Sequence, residues 1–170
     1  MRWILVLVAF WSSAALATTP SDIRTTENFT VGKGDLETDV GFDVDILRGD
    51  AKGEDVRFTL GANYFLTDIF APGMEFEVAH NNGTAAKIFP NLKAYWPLGT
   101  RWLPYIQAGL GYARAGGRNI FDFGFGPGIN YMLAQNVSLG IQFRYDLGIG
   151  SGFTLHEIQF PLLFQVYFGI

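Results

Sequence analysis

The C-terminal segment constrains this chain more than any other feature. After Pro161 every even position is large and apolar: Leu162, Phe164, Val166, Phe168 and Ile170. The odd positions, Leu163, Gln165, Tyr167 and Gly169, are mixed. A period of two makes a β-strand with one apolar face. In water a long apolar strand at a chain end is an edge that invites aggregation. The same strand is at home where it closes against another strand and turns its apolar face to lipid.

The N-terminus fits export. Arg2 is a short basic region, residues 3–11 are apolar but too few to span a bilayer as a helix, and residues 12–17 are small. Ala15-Leu16-Ala17 matches the A-x-A cleavage rule, so residues 1–17 read as a signal peptide cut between Ala17 and Thr18. No cysteine follows the apolar segment, which excludes a lipoprotein. A chain without cysteine also has no disulfides and no thiolate metal sites. Residues 18–170 suffice for one domain, with 18–35 a polar periplasmic lead-in. The acidic excess, 16 Asp and Glu against 12 Lys and Arg, argues against a nucleic-acid partner. Past the signal peptide no uninterrupted apolar run is long enough for a membrane helix. Yet 49% of the residues are hydrophobic and 16% are aromatic. A chain that is apolar overall but never continuously so suits strands that alternate between lipid and a polar interior.

The alternation recurs about eight times over residues 36–170. Strand one (near 36–47) sets Leu36, Thr38, Val40, Phe42, Val44 and Ile46 against Glu37, Asp39, Gly41, Asp43 and Asp45. Strand two sets Val56, Phe58, Leu60, Ala62 and Tyr64 against Arg57, Thr59, Gly61 and Asn63. Strand three sets Met74, Phe76 and Val78 against Glu75 and Glu77. Strand four sets Ile88, Leu92, Ala94 and Trp96 against Lys87, Asn91, Lys93 and Tyr95, with Pro90 predicting a local break in pairing. Strand five runs from Pro104 to Ala113, strand six carries Phe121 to Tyr131, strand seven Val137 to Leu147, and strand eight ends the chain. The intervening turns fall at 48–54, 67–72, 81–83, 97–101, 115–118, 135–136 and 148–152. An even number of strands puts both termini on one side, the periplasm.

A soluble barrel would alternate in the same way with its apolar face inward. Three features predict the inverted arrangement. Glycine crowds the polar face (Gly41, Gly61, Gly109, Gly111, Gly124, Gly126, Gly128, Gly140), as a narrow lumen filled by side chains requires. Aromatic residues form two rings, Tyr64, Trp96, Trp102 and Tyr131 at one set of strand ends and Tyr112, Phe121 and Tyr145 toward the other, matching the girdles of a membrane interface. The polar face carries both signs of charge: Glu37, Asp39, Asp43, Asp45, Glu75, Glu77, Asp122 and Asp146 against Arg57, Lys87, Lys93 and Arg144. In a lumen these pair as an ion network that offsets burial. The expected fold is all-β, an eight-stranded antiparallel up-and-down transmembrane β-barrel over residues 36–170.

Two segments carry a resemblance. Residues 104–112, PYIQAGLGY, are similar to the P-Y-x-x-A-G-x-G-Y stretch of small bacterial outer-membrane barrels of the OmpA-transmembrane, OmpX and opacity-protein type. Residues 136–145, NVSLGIQFRY, are similar to their penultimate strand. The last strand resembles the C-terminal signal read by the barrel-assembly machinery, here Phe164, Val166, Phe168 and Ile170, where the family more often ends in Phe. The resemblance implies the outer membrane of a Gram-negative bacterium. It implies as partners that machinery during insertion, then outer-membrane lipids and lipopolysaccharide.

The resemblance extends to lipid A deacylases, whose nucleophile site is a His-x-Ser-Asn motif on the penultimate strand. Here that stretch is Arg144-Tyr145-Asp146-Leu147, with no serine, and an arginine cannot act as a base. His80 and His156 fall on strands that are not neighbours, so a shared metal site is not expected. His156 and Glu157 are adjacent and point to opposite faces, which opposes a Ser151-His156-Glu157 triad. The expected function is therefore structural or envelope-protective, without catalysis, cofactor or metal, behind a lumen plugged by side chains. The alternatives are a lipid A-modifying enzyme with a site near His156, and a narrow channel or carrier for small solutes.

Overall fold

The computed structural model describes residues 31–49, 53–80, 84–98, 100–115 and 117–169, and the side chains of 44–49 and 53–55 are not among those described. The expected signal peptide (1–17), most of the expected lead-in (18–35), Ile170 and the side chain of Asp45 lie outside it. Ten strand segments follow one another: β1 (Asp35–Gly49), β2 (Gly53–Tyr64), β3 (Phe70–His80), β4 (Thr84–Tyr95), β5 (Trp102–Ala115), β6 (Arg118–Ala134), β7 (Val137–Gln142), β8 (Arg144–Gly150), β9 (Phe153–Gln159) and β10 (Leu162–Gly169). They make eight staves, because β7 and β8 are one crossing interrupted at Phe143, and β9 and β10 are another interrupted at Phe160–Pro161. Every stave pairs antiparallel with its neighbours, and the last closes on the first through β10–β1 and β9–β1. The protein is a closed, eight-stranded antiparallel β-barrel.

The register fixes the tilt. Starting at Glu37, the pairing row runs through Asn63, Gly73, Asn91, Gly109, Gly124, Asp146 and Glu157 and returns to β1 at Leu47, ten residues further on (37 to 47). A shear of ten over eight strands, at the usual strand spacings, tilts the staves by about 40°. Each residue then rises about 2.5 Å along the barrel axis. Trp102 and Tyr112, both on β5, are ten residues apart and so about 25 Å apart in height, the thickness of the apolar band of such barrels.

The alternation decides which side faces out. Phe42, Leu110, Phe121 and Leu162 are each more than 60% exposed, while Glu37, Lys93, Gln107, Asn130 and Asp146 are fully buried. An apolar exterior over a polar interior inverts the arrangement of a soluble barrel.

Proline and its neighbours interrupt this wall in two places. On the β5 side, β4 loses its pairing at Phe89 and Pro90, between the pairs Ile88–Tyr112 and Asn91–Gly109, while its pairing with β3 continues unbroken. The second interruption is a seam across three staves at Pro127, Phe143 and Phe160–Pro161. There the Phe143 amide donates to the Pro127 carbonyl at 2.9 Å and the Gln142 amide to the Pro161 carbonyl at 3.1 Å. The Phe160 amide is left without a backbone acceptor and donates instead to the Asp43 carboxylate at 2.9 and 3.0 Å.

The turns are tighter than the sequence suggests. β3 begins at Phe70 and takes Pro72 into the strand, β5 extends from Trp102 to Ala115, and the connection between β8 and β9 shrinks to a turn at Ser151–Gly152, with Gly152 at φ +80°. Cross-strand pairing extends the strands into positions that Gly and Pro mark as loops in isolation.

Candidate functional site

The barrel carries its chemistry in the lumen, which is packed in tiers. At the end that holds the chain termini Phe65, from the β2–β3 turn, folds inward and is fully buried against Tyr95 (ring centroids 5.0 Å) and Tyr167 (6.5 Å), and Tyr95 meets Tyr105 at 5.2 Å. Val31, Ala71, Leu103 and Met132 complete this plug, and the Gly34 amide ties the lead-in to the Phe65 carbonyl at 2.9 Å.

Above it lies a small ion cluster. Lys93 Nζ is 2.7 Å from both Glu37 and Asp39. The second Glu37 oxygen accepts from Tyr95 Oη at 2.6 Å, and the Asn63 amide donates to both carboxylates at 3.1 Å. A neutral tier follows: Gln142 donates to Gln107 and Gln107 to Glu75, each at 2.6 Å, and Ser138 donates to Gln165 at 2.7 Å.

Phe89 fills the middle. It is fully buried, and a Cβ added at Gly109, Gly111 or Gly124 would stand 2.7, 3.0 or 2.9 Å from its ring. The three glycines are the floor on which the ring lies. Cations cover it: Arg144 Cζ is 4.7 Å and Lys87 Nζ 5.0 Å from the ring centroid.

The outer tier is the main ion network. Arg144 binds Glu75 at 2.7 Å, binds Glu77, and contacts Asp146 at 3.2 Å. Arg57 bridges Glu77 and Glu157, the latter at 2.6 Å. Lys87 Nζ reaches Asp146 at 2.5 Å, Asp122 at 2.7 Å and Glu77 at 3.4 Å. Oxygens of Asp122, Asp146 and Glu157 come within 4.8 Å of one another, a spacing that suits a metal ion. The Lys87 ammonium already neutralises two of the three. Among the described residues eight buried carboxylates face four buried cations, and neutral donors hold much of the excess: Tyr95 and Asn63 on Glu37, Gln159 on Glu157, and the Phe160 amide on Asp43.

Of the residues singled out from sequence, Glu37, Asp39 and Lys93 meet in one cluster, and Arg57, Glu75, Glu77, Lys87, Asp122, Arg144 and Asp146 in the other. Asp43 stands directly across from Arg57, but its carboxylate caps a backbone amide. Sequence reasoning missed Phe89, Phe65, Tyr167 and Glu157. The alternation sets Phe89 on the face of Lys87 and Glu157 on that of Gln159, which is the signal that marks both as lumenal. Phe65 comes from a turn, where no period exists.

On the outer wall, Trp102 packs on Tyr131 (4.7 Å) near the end that holds the termini and Tyr112 on Phe121 (5.5 Å) near the other; Tyr64 and Trp96 are exposed. Phe164, Val166 and Phe168 lie on β10, paired with Val40, Thr38 and Leu36. His80 pairs with Val56 and Thr84, and His156 with Arg48 and Leu147, so two staves separate the histidines. Glu157 is buried in the lumen, whereas His156 hydrogen-bonds Tyr145 on the other face.

A closed barrel with an apolar exterior, an ion-paired interior and aromatic residues at both ends of a 25 Å band (an approximate figure from the strand geometry) is a transmembrane β-barrel. The comparisons agree. The profile described as outer membrane protein beta-barrel domain matches residues 4–164, and the chain belongs to that family. The N-terminal barrel of Pseudomonas aeruginosa OprF superposes with a TM-score of 0.63 at 18% identity, covering 81% of this chain and 100% of that one. Neisserial surface protein A gives 0.65 at 15% identity over 80% and 98% of the two chains. The outer membrane enzyme PagL gives 0.54 at 16% identity over 75% and 98%. No curated protein matches the chain.

Proposed function

We propose that this protein is a structural, envelope-protective barrel of a Gram-negative outer membrane, without catalytic activity, inserted by the barrel-assembly machinery through its last strand and embedded among outer-membrane lipids and lipopolysaccharide. One observation carries this reading: the lumen is occupied from end to end. The aromatic plug, the Lys93 cluster, the glutamine tier, Phe89 and the outer ion network follow one another along the axis, all buried. An eight-stranded barrel is just wide enough for such a filling. Among the described residues every buried cation is bound to carboxylates at hydrogen-bond distance, so moving one aside to open a path would strand unpaired charge.

The stretch that corresponds to a deacylase nucleophile site supports the non-enzymatic reading. Arg144 and Asp146 are fully buried in the lumen, locked in the ion network and turned away from lipid. Two measurements test the proposal. The protein in planar bilayers is expected to give no stepwise conductance; steady unitary steps would sink the plugged-lumen account. Intact lipid A from cells overproducing it is expected to match that of cells lacking it, and a loss of one acyl chain that tracks the protein would establish an enzyme.

A further inference from the structure

Tyr145 and His156 are out of place in the wall. Tyr145 lies between the buried lumenal residues Arg144 and Asp146, and His156 beside the buried Glu157, so both side chains belong to the outer face. They are half-buried and hydrogen-bonded to each other, Tyr145 Oη to His156 Nδ1, at 2.6 Å. The Tyr145 ring also packs edge-on against Phe125, which faces outward, at 5.9 Å. The register gives their depth. The row through Phe121 passes Ile149 and reaches β9 at Thr154. Over those two staves the row climbs by about 2.5 residues, which puts residue 156 level with Phe121. His156 therefore sits in the outer girdle, at the depth of lipid headgroups.

An ionisable side chain on a lipid-facing wall needs a partner, and here one half of that need is met within the protein. When the tyrosine hydroxyl donates to Nδ1, the imidazole carries its proton on Nε2 and presents that N–H as a donor. The pairing also places an arginine, Arg48, at the register position across from His156. At this depth the anionic acceptor a lipid offers is a phosphate.

We propose that Tyr145 and His156 form a lipid-phosphate site on the outer wall. The His156 Nε2–H donates to a phosphate oxygen of an outer-leaflet lipid, Tyr145 positions the ring through Nδ1, and Phe125 lies beside the acyl chain. The site is independent of the lumen and holds whether or not the barrel conducts.

The test is native mass spectrometry of the signal-peptide-free chain in detergent, titrated with dioleoyl phosphatidic acid, with the fold of each variant checked by heat-modifiable gel mobility. His156→Leu is expected to retain about fivefold less lipid, the worth of one hydrogen bond to a charged acceptor partly replaced by water. Tyr145→Phe keeps the ring packing and removes only the positioning hydroxyl; its expected loss is about threefold. This variant carries the test if His156→Leu fails to fold. His80→Leu, at another place on the rim, is expected to bind as the unaltered protein does. Equal retention by wild type and Tyr145→Phe would overturn the proposal, as would an equal loss in His80→Leu, which would mark diffuse surface charge. Displacement by inorganic phosphate at the same concentration would overturn the assignment to a lipid, since the acyl chain then contributes nothing.

Discussion

Replacing Arg144 by Met is expected to destabilise the barrel by about 3–5 kcal/mol, because it strips the cation from several buried carboxylates at once. Arg144 is fully buried and binds Glu75, Glu77 and Asp146, and its guanidinium covers the Phe89 ring. Water has no easy access to replace it. The substitution keeps most of the stem volume, so the effect reports charge rather than a cavity. Urea titration of the protein folded in phospholipid vesicles, followed by tryptophan fluorescence, measures it. Adding Glu77→Gln to Arg144→Met is expected to restore part of the loss, since it removes one of the stranded charges. A single variant as stable as wild type would mean that the outer network contributes no net stability.

Gly126→Val is expected to abolish folding. A Cβ at Gly126 would stand 1.8 Å from the carbonyl oxygen of Phe143 and 2.9 Å from the Cα of Arg144. Both are backbone atoms, so no side chain can swing aside. They also belong to the seam at Pro127, Phe143 and Pro161, where the wall is held by fewer regular hydrogen bonds than elsewhere. The variant is expected to show no heat-modifiable band after dilution from urea into detergent or vesicles, whereas wild type is expected to migrate differently before and after boiling. Gly117→Val makes the contrast: nothing lies within 4 Å of its Cβ, and its cost is the strain of φ +79° in a surface turn.

The two expectations rest on different layers of information. The glycines of the polar face stand in the sequence, and a narrow lumen gives a reason for them. Which atom each one faces does not. Gly109, Gly111 and Gly124 lie on two adjacent staves and are joined by Phe89 from a third, a meeting that follows from the shear of the closed barrel. The ion pairs show the same division. Alternation alone puts Asp43 and Arg57 on one face, and the register sets them directly opposite. The seam then draws Asp43 to the Phe160 amide, while Arg57 reaches across the lumen to Glu77 and Glu157.

By itself the sequence determined the class of this protein. A period of two repeated eight times, apolar on one side and charged or glycine on the other, leaves a lipid-facing barrel as the arrangement that buries the charges and hides every strand edge. That signal is local: it lies in the order of neighbouring residues, and each strand carries it separately. The tertiary structure decided the partners, the plug and the outer pair. Phe65 closes the end that holds the chain termini from a turn, Arg144 reaches across the lumen to two carboxylates of β3, and Tyr145 meets His156 across a strand pair. These contacts depend on how far the sheet shears before it closes, and no stretch of sequence contains that quantity. It arises when eight strands share one ring of hydrogen bonds and the side chains inside must fill a single narrow space.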